Sequence, residues 1–398
     1  MAYPHHLAAG GAGRAGIRAG RRAALRRRRL CHPGGLRVGV HPCRVRLARQ
    51  RAGLSKQELA QRTGVSTRTV TTWESEGAPP SRAEGLAAAT MVPVSFLQRH
   101  PVEEVAEEAV FFRARRRSPA RLRHVATALG ALGTDFYAEV TQHFRLPALD
   151  LPEGAVLAAQ PGPSAPLSLT EAQEAARELR TVWGLGELPA PNLVQLAEAH
   201  GVRVLGLPRA QRDVDAFSFW GADGCPYIFL ARHKTAERSR FDLAHEIGHL
   251  VLHGGVTRTD ERTDRVVEAE AHAFAGELLL PRAAVRAVLG RSPSLHAVLG
   301  LKERFGTSAV AAARAAWDAG CLSEWEYRQM SAQLASRGFS TGEPGSRLGY
   351  EQSRVYRTVL DWLRQRGQSV PQWARSIGQH PDDVAAFMLG QALSLVPG

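Results

Sequence analysis

The sequence predicts a mainly α, multidomain chain with an α+β middle that holds a small sheet. Three observations predict it. At 398 residues the chain exceeds one ordinary hydrophobic core. Short segments with helix-capping signals recur from about residue 43 to 98 and again after residue 233. Strand-like runs, "VRVLGL", "DAFSFW" and "PYIFLA", crowd into one stretch between them. An apolar fraction of 44% suits a folded chain, and no apolar run reaches the roughly 18 residues of a membrane span. Cys31, Cys43, Cys225 and Cys321 are scattered without a C-x-x-C pair. That pattern is neither a disulfide framework nor a thiolate zinc site, and it fits a cytoplasmic protein.

Residues 1–40 are Gly, Ala and Arg with little to bury, so a basic disordered extension is expected there. An Arg-rich transit peptide, or an upstream extension from a misassigned start, has the same composition. No acidic residue precedes Glu58, whereas 14 of the 51 Lys and Arg lie before it. The other 37 nearly balance the 38 acidic residues. The net charge of +13 therefore belongs to the beginning of the chain, where a polyanion would be met.

Residues 41–100 form the first expected domain. Ser55 and Glu58 have capping-box spacing and start a helix at Lys56. Gly64 supplies the left-handed residue that ends it, and Ser66 caps a second helix to about Glu74. Leu59, Ala60, Val65, Val70 and Trp73 are spaced to pack between the two. A pair of helices joined by so short a turn reads as a helix-turn-helix, though many small helix pairs only pack. From Leu47 through "GLSKQELAQRTGVSTRTVTTWE" to about Leu97 the segment resembles the five-helix, repressor-type helix-turn-helix domains of the XRE family. By motif position that resemblance sets Lys56 against the DNA backbone and gives Ser66 and Thr69 capping and phosphate roles. Thr67, Arg68 and Thr72 face the major groove of a double-stranded operator, where Arg68 can bond a guanine edge. Readers of two half-sites are dimers, so a homodimer is expected by analogy.

Residues 101–169 read as a helical connector, from Glu103 to His143, followed by a Pro- and Gly-rich linker. The next domain, residues 170–290, opens with a helix near Thr170, where Thr170 and Gln173 have capping-box spacing. After the three strand runs comes "FDLAHEIGHLVLH". His245 and His249 share a helix face and can converge on one ion, with Glu246 beside them. Leu243, Ile247, Leu250 and Val251 surround this polar trio, which is costly unless the three groups share a ligand. The alternative is a helix whose histidines are hydrogen-bonded core residues. "DRVVEAEAHAFAGELLLP" is a second helix, ended by Pro281. Helical phase puts Glu268 on its packed stripe with His272, Ala275 and Leu279, and Glu270 with Glu277 on a polar flank. Glu268 is thus the better third ligand and Glu270 a solvated charge. His253 points to the helix end and reads as structural.

These two segments resemble the ImmA/IrrE family of bacterial metallopeptidases, over about residues 170–343, which implies an α+β gluzincin-like fold. The resemblance makes His245, His249 and Glu268 the Zn²⁺ ligands and Glu246 the general base for peptide hydrolysis. His272 stands where the family has Asn or Asp, a position that orients a ligand histidine from the second shell. Tyr227 and His233 are candidates for an oxyanion donor. Residues 291–398 read as a helical C-terminal region broken by a loop at 339–349. Within it "SVPQWARSIGQHPDDVAAFML" loosely resembles a second helix-turn-helix but reads better as a packing module.

The expected function is a DNA-binding regulator whose zinc endopeptidase domain cleaves a protein substrate, a repressor or the chain itself, with no membrane partner. Two rivals stand beside it: a transcription factor whose zinc site is sensory or structural, and a peptidase whose helix-turn-helix docks protein.

Overall fold

The computed structural model describes residues 39–107, 110–112, 119–152, 167–210, 214–254 and 261–391. Five short helices come first: α1 (Pro42–Arg51), α2 (Lys56–Thr63), α3 (Thr67–Glu76), α4 (Ala83–Thr90) and α5 (Val94–Gln98). Their starts and stops follow local chemistry. Ser55 and Glu58 close a reciprocal capping box on α2, and Gly64 ends it in the left-handed region at φ 66°. The Ser66 hydroxyl accepts the Thr69 amide at the start of α3. Leu59, Ala60, Val70 and Trp73 are buried between the helices, as the spacing predicts. α3 runs two residues past the expected Glu74. The expected extension, residues 1–40, lies outside the described residues except for Gly39 and Val40. Val40 is buried and bridges to Ala78, so the folded part begins before the expected boundary.

The connector departs from expectation. The long helix α6 spans Ala120–His143, but it starts only after Pro119, which favours a helix start and not its interior. Upstream, Phe111–Phe112 forms a short strand, β1. A sheet edge recruits these two aromatic residues, so tertiary pairing overrides the local helical pattern. Most of the expected linker, residues 153–166, lies outside the described residues. The next helix, α7 (Leu169–Val182), is capped by Ser168 with Glu171 and not by Thr170 with Gln173. An N3 carboxylate also favours the helix dipole, which an amide does not.

The short helix α8 (Leu193–Ala199) leads into β2 (Arg203–Gly206), β3 (Ala216–Trp220) and β4 (Pro226–Leu230). The sheet order is β1-β3-β4-β2, with β2 parallel to β4 and β3 antiparallel to both β4 and β1. Phe217 stacks on Phe229 and Phe219 on Tyr227, with centroids 4.6 and 5.3 Å apart. Ser218 falls between the two phenylalanines and takes the opposite face by the period of the strand. That other face carries α9 (Ala236–His253), which is crossed by α10 (Glu261–Leu279). α7 packs on α10 in turn, so α10 has neighbours on two sides.

The C-terminal region divides into two. α11 (Arg282–Leu289), α12 (Leu295–Phe305), α13 (Ala309–Asp318) and α14 (Glu324–Ser336) bury their own cluster around Val298, Phe305 and Leu334. After the loop, α15 (Arg354–Gln365), α16 (Val370–Ser376) and α17 (Pro381–Phe387) rejoin the main core. Phe387 meets Phe229 edge-on at 5.9 Å, and the Tyr137 and Tyr356 hydroxyls are 3.0 Å apart. The expected region, residues 291–398, is helical, and the apolar faces of its last helices cover the sheet and α6. Among the described residues no helix is long and apolar enough to cross a membrane.

Candidate metal centre and nucleic-acid interface

α9 places three titratable groups in one apolar helix. Its N-cap is Thr235, whose hydroxyl accepts the Arg238 amide, and Leu243, Ile247 and Leu250 anchor it on the core. His245 and His249 turn their Nε2 atoms toward each other, 3.1 Å apart. Glu268 of α10 sets one oxygen 3.3 Å from the first and the other 3.5 Å from the second. Two donors held about 2.0–2.1 Å from one tetrahedral ion stand about 3.3 Å apart, so this set fits a divalent cation. A neutral imidazole pair with facing Nε2 atoms would otherwise share one proton between two lone pairs. Burial alone would raise the Glu268 pKa. Hydrogen bonds and charge attraction from the two histidines outweigh it and hold the carboxyl well below the usual range.

Glu246, adjacent to His245, is 2% exposed. One of its oxygens accepts the Ser218 hydroxyl of β3 at 2.6 Å, which fixes the carboxylate against the sheet. Ser218 was not singled out from the sequence. The available signal was a lone hydroxyl between two phenylalanines in a strand.

The outer contacts of the cluster differ from the expected ones. His249 Nδ1 lies 3.2 Å from His253 Nδ1, and His253 Nε2 lies 2.7 Å from Glu270. Glu270 is 2% exposed, which corrects the expected solvated charge. α10 has more than one packed face, since it lies between α9 and α7 and buries Glu277 as well. His253 is thus a contact of the cluster, beyond the merely structural role expected at the helix end. His272 is exposed and lies against Phe241, with ring centroids 4.8 Å apart. Its ring is 6.2 Å from that of His245, whose Nδ1 makes no hydrogen bond among the described residues. The Tyr227 hydroxyl donates to Asp223 at 2.8 Å, and His233 is exposed in the turn before α9. Neither makes a described contact with the three clustered side chains.

On the helix-turn-helix, α3 exposes Thr67, Arg68, Thr71, Thr72 and Ser75 along one side. Thr69 is half-buried, and its hydroxyl lies 2.9 Å from that of Ser66. The Lys56 ammonium reaches across to Thr71 at 3.2 Å and to buried Glu74 at 3.5 Å. Glu74 also takes Arg49 of α1, so the base of the second helix is fixed by two cations.

A family model described as a helix-turn-helix matches residues 45–98, and one described as an IrrE N-terminal-like domain matches residues 197–316. The chain thus joins a DNA-binding regulator segment to an IrrE-like peptidase domain. No curated protein matches the chain.

Proposed function

We propose that this protein is a DNA-binding transcriptional regulator whose zinc-dependent endopeptidase site cleaves a regulator protein, in trans or in its own chain, and so switches gene expression. The observation that carries the reading is a buried carboxylate, Glu246, beside three side chains that converge as ligands. A structural or sensory site has no use for a base at that position.

His245, His249 and Glu268 would hold the ion. When bound, zinc supplies Lewis acidity, lowering the pKa of a water towards roughly 7 and polarising a carbonyl. Glu246 would take a proton from the attacking water as its oxygen adds to the carbonyl carbon, and would pass that proton to the amine nitrogen as the C–N bond breaks. Ser218 keeps the carboxylate in one orientation during both transfers. On the DNA side, Arg68 reads a base edge, while Thr67 and Thr72 lie beside it and Ser66 and Thr69 hold the helix end near phosphate. Lys56, tied to Glu74, serves the domain's own packing as well as the backbone. Two copies bind two half-sites.

Glu246→Gln tests the enzymatic part. It should keep bound zinc and DNA affinity while cleavage of co-expressed regulators falls by about 10²–10⁴-fold. If wild type and variant leave every candidate regulator equally intact, the sensory reading replaces this one; the burial of the site favours that reading. For the DNA part, Arg68→Ala should lose about 1–3 kcal/mol of discrimination at one operator position. An unchanged footprint would remove Arg68 from that role.

A further inference from the structure

The metal cluster lies at the outer edge of β3, and that edge is occupied. β1 runs antiparallel to β3, with Phe111 opposite Ser218 and Phe112 opposite Phe217. Without β1, β3 would end the sheet and present unpaired N–H and C=O groups. The register matters. Ser218 holds Glu246, so the connector passes its main chain opposite the residue that orients the base. The Phe111 ring lies flat on the His249 ring, 5.3 Å between centroids with 6° between planes, and 6.4 Å from His253. With this strand in place Phe111 is 5% exposed and His249 1% exposed.

An enzyme that cuts peptides must hold an extended main chain beside its base, and adding a strand to an open sheet edge is a general way to do so. We infer that the outer edge of β3 is the docking edge for an extended peptide, and that residues 110–112 are its intramolecular occupant. The site is closed by its own connector, and it takes an incoming strand only when β1 leaves. This rests on the peptidase reading and names how that site is regulated. The incoming strand presents a large apolar side chain to His249, as Phe111 does. The same connector is tied to the DNA-binding helices, since Arg46 of α1 binds Glu104 at 2.8 Å and Val102 and Val105 pack on the main core. Displacing β1 therefore pulls on the segment that leaves α5.

An intramolecular strand competes at an effective concentration in the millimolar range, so a free peptide of equal intrinsic affinity binds weakly to the closed form. The test uses the full-length, zinc-loaded protein and a fluorescein-labelled peptide with the sequence of residues 105–118, with a scrambled peptide as control. Phe111→Pro removes a strand N–H and the ring together. Phe111→Ser, a milder change, removes only the ring and serves if the proline variant fails to fold. Anisotropy should show binding tightened at least tenfold in either variant over wild type. Amide exchange across residues 216–220 should quicken in the variant and slow again when peptide is added. Equal binding by wild type and variants, or no renewed protection of 216–220 with helical circular dichroism unchanged, overturns the docking edge. Failure of the peptidase reading looks different: peptide binds and protects the edge, yet mass spectrometry finds no cleavage of any regulator in any variant.

Discussion

Glu270, His253 and His249 form a chain in which each proton has one consistent place. If His249 Nε2 faces an ion, its Nδ1 carries a hydrogen and donates to His253 Nδ1. His253 must then carry its own hydrogen on Nε2, where Glu270 accepts it. The carboxylate thereby fixes the tautomer of both rings, and all three residues are almost completely buried. Outer contacts of this kind are worth about 10–100-fold in metal affinity. His253→Ala should lower zinc affinity by that order in a chelator competition, and Glu270→Gln, which keeps an acceptor but loses the charge, by less. Unchanged zinc affinity in His253→Ala would mean the contact is only packing. The sequence made the cluster itself legible, because i, i+4 spacing and helical phase dictate which side chains can meet. It did not show Glu270 in this role. Whether a helix flank meets water or another helix is a property of the assembled fold, and α7, which covers α10, lies about 90 residues upstream.

At the scale of elements, the site depends on how closely α9 and α10 cross. Gly248 stands at the crossing. A Cβ there would come within 3.0 Å of the Phe274 ring and 3.3 Å of the Ala271 main chain. The ring can shift, but the backbone of α10 must move for the second contact, and Glu268 moves with it. Gly276, also helical, has nothing within 4 Å of its would-be Cβ. Gly248→Ala should therefore lower both the melting temperature and zinc affinity, whereas Gly276→Ala should gain up to about 1 kcal/mol from helix propensity. Equal behaviour of the two variants in thermal melts and zinc titrations would show that the crossing has slack. Local signals account for most elements: Ser caps, Gly stops and short apolar strand runs all appear near their expected places. β1 does not follow from such signals, because two residues become a strand only when an edge is there to pair with them. The capping error at α7 has a smaller cause. Two candidate boxes lie two residues apart, and the one with a carboxylate at N3 prevails.

Across the whole molecule, the DNA-binding helices are fastened to the rest by buried arginines. Arg44 of α1 reaches Asp135 of α6 at 3.2 Å, and Arg51 forks onto Asp383 of α17, one arm at 3.0 Å. Both members of the second pair are almost wholly buried, so removing either strands a charge at a cost of about 3–5 kcal/mol. His380 caps α17 beside this fork, its Nδ1 accepting the Asp382 amide at 3.2 Å. That bond requires a neutral ring. Burial, then the charge of Arg51, pushes the His380 pKa below its ordinary 6.5, against the opposing pull of Asp383 and Asp382. A histidine lowered on folding favours the folded state while neutral. Its contribution is complete above pH 6.5 and is lost as pH falls from there through the folded value. Acid should thus loosen the end of α17 that receives Arg51, and with it the seat of α1. His380→Asn keeps a capping acceptor without a titrating ring. Melting temperatures of wild type relative to His380→Asn should fall between pH 7.5 and 5.5. A difference that stays flat over that window would assign the acid response to other groups. Since α1 also contacts α3, the same loss should appear as weaker operator binding at pH 5.5 in wild type than in the variant.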